Sequence, residues 1–182
     1  MSIKLFVSCP KGVENPLQDE LAAMGLADFR QTVGGIYCSG EFDDVYRICL
    51  WSRLANRVVW LLVEQKNINS KEELYAAAKR VAWPAVFPLQ KSFAVDFKGE
   101  NKFINHTNYG ALLVKDAVVD HFKEEFGERP NVDADNPDIK LYAHIKNNQF
   151  MLGVDVSGGS LHRRGYRQWR SQRPLKETLA AA

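Results

Sequence analysis

Ile3-Lys-Leu-Phe-Val-Ser8 followed by Asn15-Pro16-Leu17-Gln18 is the stretch that sets the predicted fold. The first segment alternates apolar and polar side chains, which predicts a β-strand. The second predicts a helix start, with Asn15 as N-cap, Pro16 at the first helical position and Gln18 at the capping-box position. Gly25 predicts the end of this helix. One helical face would carry the apolar residues Val13, Leu17, Leu21 and Met24.

The residues that follow extend the pattern. Two short strands are predicted at Asp28–Val33 and Ile36–Ser39, with Gly34-Gly35 as the turn between them. A second helix is predicted from about Phe42 to Asn56, and the β-branched and aromatic segment Arg57–Glu64 predicts a strand. The order β-α-β-β-α-β is the ferredoxin-like arrangement and accounts for about the first 65 residues.

The second half of the chain begins a new α/β pattern. Ser70–Glu73 predicts a capping box and a helix through about Val81, which Trp83-Pro84 would end. The remaining predicted elements are a strand at Ser92–Phe97, a long helix ending near Gly127, and a hairpin of Ile139–Ile145 and Phe150–Val156 around Asn147-Asn148. The predicted fold class is α+β. The predicted boundaries are 1–66 for the ferredoxin-like subdomain, 67–158 for a second domain and 159–182 for a basic connector.

Composition excludes several classes of protein. The 182 residues have an ordinary apolar and charged content, and no apolar run approaches the ~20 residues that span a bilayer. The N-terminus lacks the pattern of a signal peptide. The three cysteines, Cys9, Cys38 and Cys49, are an odd number without CxxC spacing, which favours reduced core thiols. We therefore expect a cytoplasmic protein with no membrane partner.

A basic tract near the C-terminus is the main functional signal. Between Arg163 and Lys176 there are six cations and no acid, and removing these six from the 24 leaves 18 cations against 22 acids, a net charge of −4. Such a distribution indicates a phosphate-binding surface. The predicted RNA-binding residues of the tract are Arg163, Arg164, Arg167, Arg170, Arg173 and Lys176, with Tyr166 and Trp169 stacking on bases. Two alternatives remain, a solvated linker and a segment that docks a following domain, with Tyr166 as a packing anchor.

A second candidate site lies on the long predicted helix. Lys115 interrupts an apolar stripe, either because its stem packs while its ammonium reaches water or because it faces RNA. In the second case it would act with Asn105, His106 and Asn108 at the helix start, where free N–H groups suit a phosphate.

The sequence contains no predicted catalytic residue and no predicted metal site. The four histidines are scattered and have neither i,i+4 partners nor nearby cysteine pairs. Asp133, Asp135 and Asp138 resemble the start of a calcium loop, but Pro137 stands at a ligand position, so turn and capping roles are expected. Trp51, Trp60 and Trp83 are predicted core residues.

Several stretches resemble a known family over nearly the whole chain. These are Trp51-Ser-Arg-Leu54, Phe93-Ala-Val-Asp-Phe97, Asn108-Tyr-Gly-Ala111, Val114-Lys-Asp-Ala-Val-Val-Asp120, Arg129-Pro-Asn-Val-Asp133, Asp155-Val-Ser-Gly158, Leu161-His-Arg-Arg-Gly-Tyr-Arg167 and Pro174-Leu-Lys-Glu-Thr-Leu-Ala-Ala181. Together they resemble the N-terminal region of bacterial large-subunit (23S) ribosomal RNA guanine-N2 methyltransferases. The resemblance implies a ferredoxin-like subdomain, an RNA-binding THUMP domain and, after them, a Rossmann-like methyltransferase domain.

The resemblance also implies a division of labour. S-adenosylmethionine would bind the methyltransferase domain of the full-length parent, and no cofactor is expected in this fragment, which lacks a GxGxxG-like run and an Asn/Asp-Pro-Pro-aromatic segment. The expected partners are ribosomal RNA and the C-terminal methyltransferase domain, and the fragment alone is expected to be inactive. Two alternatives are a stand-alone RNA-binding adaptor and the front end of an adenine-N6 DNA or RNA methylase.

Overall fold

The computed structural model describes residues 2–163 and 175–182 and comprises two compact units. Unit 1 contains residues 1–60 and 156–182, and unit 2 contains residues 61–155. No helix within the described ranges is both long and apolar enough to cross a membrane.

Unit 1 has the ferredoxin-like topology that the sequence predicts. Its elements are β1 (Ile3–Ser8), α1 (Glu14–Ala23), β2 (Ala27–Thr32), β3 (Gly35–Gly40), α2 (Phe42–Trp51), the first half of β4 (Arg57–Gln65) and a short C-terminal helix, α6 (Glu177–Ala180). The strand order is β2-β3-β1-β4, and β1 is antiparallel to both β3 and β4. Alternate strand residues such as Leu5 and Val7 pack against the helices, where Leu17 and Ile48 are fully buried. Each such side chain contributes about 1.5–3 kcal/mol through removal from water.

Helix α1 begins one residue before the predicted N-cap. Val13 precedes the first turn without a side-chain cap, and Asn15 lies within the helix. The Glu14 carboxylate replaces the predicted cap, because it accepts hydrogen bonds from the backbone N–H groups of Gly12 and Gly34, both 2.7 Å long. These bonds hold the pKa of Glu14 below its ordinary value. The side chain of Asn15 instead accepts a hydrogen bond from Gln31.

Two further boundaries and the burial of Trp51 differ from the sequence-based expectation. The β2–β3 turn is Val33-Gly34, and Gly35 is already in β3. Helix α2 ends at Trp51 because Ser52 is extended and its hydroxyl donates to the Glu20 carboxylate. Trp51 is 72% exposed and is not a core residue. It is displaced by about a quarter of a turn from the buried face formed by Val45, Ile48 and Ser52.

Unit 2 packs helices on one face of a three-stranded sheet. Its elements after the second half of β4 are α3 (Lys71–Lys79), α4 (Trp83–Val86), β5 (Phe93–Lys98), α5 (Thr107–Phe126), β6 (Ile139–Lys146) and β7 (Gln149–Asp155). The order is β7-β6-β5, with β5 parallel to β6 through the α5 crossover and β6 antiparallel to β7. Trp83-Pro84 was expected only to end a helix, but it begins α4, because proline suits the first helical turn.

The core of unit 2 is aromatic and closely packed. Trp83, Phe93 and Phe122 are fully buried, and the Trp83 indole N–H donates to the Ala78 carbonyl. Gly110 of α5 faces Phe97 so closely that an added Cβ would lie 2.5 Å from the ring. This glycine therefore sets how near α5 can approach β5. The predicted end of α5 is confirmed, since Gly127 is left-handed with φ 74°.

Candidate nucleic-acid interface

Three loops of unit 2 are joined to one another by asparagine residues. The loops are 66–70 before α3, 99–106 before α5, and the Asn147-Asn148 turn between β6 and β7. Asn148 Nδ2 donates to Asn69 Oδ1 over 2.7 Å, and its carbonyl accepts from the Ile68 N–H over 2.9 Å. Asn101 Nδ2 donates to the Asn147 carbonyl over 2.9 Å. We call this the loop end of unit 2.

The backbone at the loop end needs residues that tolerate positive φ. Asn67 and Asn147 have φ of 60° and 54°, a region that asparagine visits more readily than most residues. Gly99 has φ 83°, and a side chain there would collide with the Ile145 carbonyl oxygen. The local sequence is therefore fixed by backbone geometry before any ligand is considered.

The loop end is rich in exposed lysines. Lys71 lies 3.9 Å from Glu72, and Lys98 makes a 2.7 Å ion pair with Asp96. Among the exposed lysines of the loop end, Lys66, Lys102 and Lys146 have no ion pair with any described carboxylate. Helices α3 and α5 follow two of these loops, and their N-termini add partial positive charge. Unpaired ammonium groups beside free N–H donors suit phosphate oxygens, so this end is a candidate interface for a nucleic-acid backbone.

The predicted residues at the start of α5 lie in or next to the loop before it, whereas Lys115 lies further along the helix. Asn105 and Asn108 are exposed, and His106 is the N-cap residue without a side-chain cap bond. Lys115 lies eight residues after Thr107, about 12 Å along the helix axis. Its ammonium makes a 2.7 Å ion pair with Asp116, and its side chain is 31% exposed. The structure therefore separates Lys115 from the asparagines that the sequence analysis grouped with it.

Only the two ends of the basic tract fall within the described residues. Arg163 and Lys176 are exposed in unit 1, whereas Arg164, Tyr166, Arg167, Trp169, Arg170 and Arg173 lie outside the described ranges. Burial lowers the pKa of His162, and the positive charges of Lys176 and Arg163 lower it further. These two cations, 13 residues apart in sequence, therefore act on one imidazole.

Asn56 anchors both flanks of the basic tract in unit 1. Its carbonyl accepts a 2.9 Å hydrogen bond from the Leu161 N–H, and its side-chain oxygen accepts a 3.0 Å bond from the Thr178 hydroxyl. Thr178 is 2% exposed. A single residue thus holds the described segments on both sides of the basic tract.

The remaining reactive groups have structural roles. Burial raises the pKa of Cys9 to about 11 and that of Cys38 to about 12, so both remain thiols at neutral pH. Asp133 caps its own loop by accepting from the N–H groups of Asp135 and Asn136, as expected for a turn. Across residues 2–163 and 175–182, no group of three or more potential ligands is placed to hold a metal ion.

Comparison with protein families identifies both units. An RlmL ferredoxin-like domain model matches residues 4–59, and a THUMP domain model matches residues 69–155. The loop end of unit 2 therefore lies in or directly beside the THUMP match. The chain therefore contains a region similar to RlmL ferredoxin-like domains followed by a region similar to THUMP domains.

Curated relatives align with almost the whole chain. The ribosomal RNA large subunit methyltransferase K/L of Chromohalobacter salexigens is 47% identical over 99% of the chain, and that of Shewanella frigidimarina is 46% identical over 97%. The chain spans 25% of the length of each of these relatives. Among solved structures, a predicted N6-adenine-specific DNA methylase from Listeria monocytogenes is 29% identical, with a TM-score of 0.84, and the match covers 100% of this chain and 47% of that one.

Proposed function

We propose that this chain is the RNA-binding portion of an S-adenosylmethionine-dependent ribosomal RNA methyltransferase and positions ribosomal RNA for methylation of a guanine N2. The observation that carries the proposal is the 47% identity to a ribosomal RNA large subunit methyltransferase K/L over 99% of the chain. The exposed lysines of the loop end lie in or beside the THUMP match, where an RNA-binding domain needs them.

The proposal divides binding from chemistry. S-adenosylmethionine supplies the methyl group in a C-terminal methyltransferase domain that the relatives' greater length would accommodate. The described residues do not fit this cofactor, because none of their strand-to-helix turns is glycine-rich. Lys66, Lys102 and Lys146 bind phosphates and set the position of the RNA without reading base edges. Holding the substrate in one orientation lowers the entropic part of the barrier to transfer.

A salt titration of RNA binding tests the role of the loop end. In a variant carrying Lys66→Gln, Lys102→Gln and Lys146→Gln, we expect the slope of log affinity against log salt to become shallower by about 2 to 3, since each lost phosphate contact contributes about 0.7–0.9. The matched control carries Lys123→Gln, Arg129→Gln and Lys140→Gln, three exposed cations away from the loop end. Equal slopes for the two variants would remove the loop end from the interface.

Two further measurements test the rest of the proposal. A chain cut after Gly159 should lose part of the salt slope if the basic tract binds RNA, and an unchanged slope would assign that tract another role. The 182-residue chain with S-adenosylmethionine should yield no methylated RNA. Methylated RNA in that reaction would contradict the separation of binding from chemistry.

One comparison favours a second candidate function. The Listeria monocytogenes structure named as a predicted N6-adenine-specific DNA methylase matches the whole chain at 29% identity. The N-terminal region of an adenine-N6 methylase would need the same contacts with a phosphate backbone. The two functions are separated by identifying the methylated base after incubating the full-length protein with ribosomal RNA and with DNA.

A further inference from the structure

The face of the unit 1 sheet opposite helices α1 and α2 combines stacked planar side chains with cations. Directly paired residues of an antiparallel sheet share a face, so Phe6, Tyr37 and Val59 lie together, as do Arg30 and Tyr37. The helices pack on the opposite face, against Leu5, Val7 and Val58. On the first surface Phe6 and Val59 are buried, whereas Lys4 and Arg30 are exposed. We call it the open face of unit 1, after its exposed residues.

A layered aromatic platform occupies the middle of the open face. The rings of Phe6 and Tyr37, on the adjacent strands β1 and β3, have centroids 4.9 Å apart. Gly35 makes room for Phe6, because an added Cβ would lie 2.6 Å from its ring. The Arg30 guanidinium carbon lies 4.0 Å from the centroid of the Tyr37 ring. Since Arg30 is an exposed residue, the guanidinium is the outer layer of this platform.

The charged residues at the paired positions of the open face are all basic. Lys4 and Arg57 lie on it together with Arg30, because Lys4 pairs with Ser39 and Arg57 pairs with Ser8. Lys4 is exposed and Arg57 is half-buried. Among the described positions paired across this face, none is Asp or Glu. The full set is Lys4, Phe6, Ser8, Ala27, Arg30, Thr32, Gly35, Tyr37, Ser39, Arg57 and Val59.

We propose that the open face of unit 1 binds a single-stranded RNA segment, with a base stacked on the Arg30–Tyr37 platform and a phosphate on Lys4. Unpaired bases stack on aromatic rings and on guanidinium planes, and four-stranded sheets with aromatic residues on their inner strands use this mode of recognition. The cations complement the polyanion that connects the bases. A duplex keeps its bases stacked inside and cannot offer one to this platform.

The site belongs to unit 1 alone and is independent of the loop end of unit 2. It assigns the ferredoxin-like unit a direct part in choosing substrate, namely preference for RNA with an unpaired segment. Backbone contacts at the loop end carry no such preference, because they recognise phosphates in any RNA.

The test uses the full 182-residue chain and a fluorescently labelled decauridine. Arg30→Lys keeps the charge but removes the planar group, so we expect decauridine affinity to fall about fivefold or more, the lower range for losing one stacked base. The salt slope should remain unchanged, because the number of cations is unchanged. The matched control is Arg53→Lys, an exposed arginine outside the strands of the open face, which should bind as the unmodified chain does.

Two additional measurements make the result decisive. Thermal unfolding of Arg30→Lys should match that of Arg53→Lys, which excludes misfolding as the cause. Ultraviolet cross-linking of a 4-thiouridine-containing decamer should attach RNA to the peptide that contains Tyr37. Equal affinities for the two arginine variants would overturn the open-face site.

The same assay separates this proposal from the proposed function. If a hairpin RNA binds and decauridine does not, the open-face site is wrong while RNA binding by the loop end stands. If neither RNA binds, both proposals fail. If decauridine binds with the expected loss in Arg30→Lys, the ferredoxin-like unit has a stacking site of its own.

Discussion

Asn101 holds Asn147 through a 2.9 Å hydrogen bond from its side-chain amide to the Asn147 carbonyl. The oxygen of the same amide accepts from the N–H groups of Phe103 and Ile104, at 3.1 and 2.9 Å. One asparagine therefore satisfies three backbone groups and ties the loop before α5 to the β6–β7 turn. The geometry of the loop end depends on this residue more than on any of its lysines.

Replacing Asn101 should loosen the loop end without unfolding unit 2. Asn101→Ala leaves the half-buried N–H groups of Phe103 and Ile104 without their acceptor, at a cost of about 1–3 kcal/mol. Hydrogen exchange at these two amides should accelerate. Asn101→Asp is the control, because its carboxylate still accepts both bonds and should keep both amides slow. Equal exchange in the two variants would show that the acceptor bonds do not hold this loop.

Gly99 should be the least replaceable glycine at the loop end. Gly99→Ala adds a Cβ that collides with the Ile145 carbonyl oxygen at a positive φ of 83°, so we expect a loss of about 3 kcal/mol or more in the free energy of unfolding. Gly127→Ala is the matched control, because Gly127 also has a positive φ but nothing within 4 Å of the added Cβ. It should cost only about 1–2 kcal/mol. Urea unfolding measures both, and equal losses would rule out the collision.

Local sequence signals predicted the order of the elements well because each has a local physical cause. Positive φ ended α5 at Gly127, and the same property placed the hairpin at Asn147. The exceptions involve contacts distant in sequence. Glu14 displaced the predicted cap by bonding to Gly34, 20 residues away. The end of α2 depends on Glu20, which is 32 residues from Ser52. Neither of these two hydrogen bonds produces a recognisable pattern in the local sequence.

The candidate sites also depend on the positions of residues relative to one another, which local sequence patterns do not show. The sequence drew attention to Lys115 because it interrupts an apolar stripe, but it did not show the ion pair with the neighbouring Asp116. It also did not show that Lys66, Lys102 and Lys146 meet at one end of unit 2, since they lie in three different segments. The Asn67, Asn101 and Asn147 positions in loops were the one available signal. Asparagine repeated in predicted turns can mark loops that bond to each other.

Asp138 should make the stability of the protein sensitive to acid. Its carboxylate is bonded to the Lys91 ammonium and to the N–H and hydroxyl of Ser92, which lower the pKa of Asp138 from 3.8 to about 2. Because the folded pKa is depressed, the unfolded state binds more protons between these values. The stabilising contribution is therefore complete above about pH 5 and is lost as the pH falls towards 2.

The acid sensitivity can be measured against a variant. Asp138→Asn should be less stable than the unmodified chain at pH 7, and the difference should shrink below pH 5 and disappear near pH 2. Asp135→Asn is the control, because this side chain is exposed and has no hydrogen bond or ion pair with the described residues. A difference for Asp138→Asn that stays constant from pH 7 to pH 2 would show that the carboxylate charge is not the cause.

His162 can report whether the ends of the basic tract meet RNA. Burial lowers the pKa of this imidazole, and the charges of Lys176 and Arg163 lower it further. Lys176→Gln should therefore raise the pKa of His162, whereas Lys11→Gln, which removes a lysine that does not act on His162, should leave it unchanged.

RNA phosphates bound at Lys176 and Arg163 would offset the charge of these two cations and should also raise the pKa of His162. A nuclear magnetic resonance titration of the His162 ring protons with and without RNA measures this. If RNA binds the chain and the pKa of His162 stays where it was, these two cations are not part of the interface.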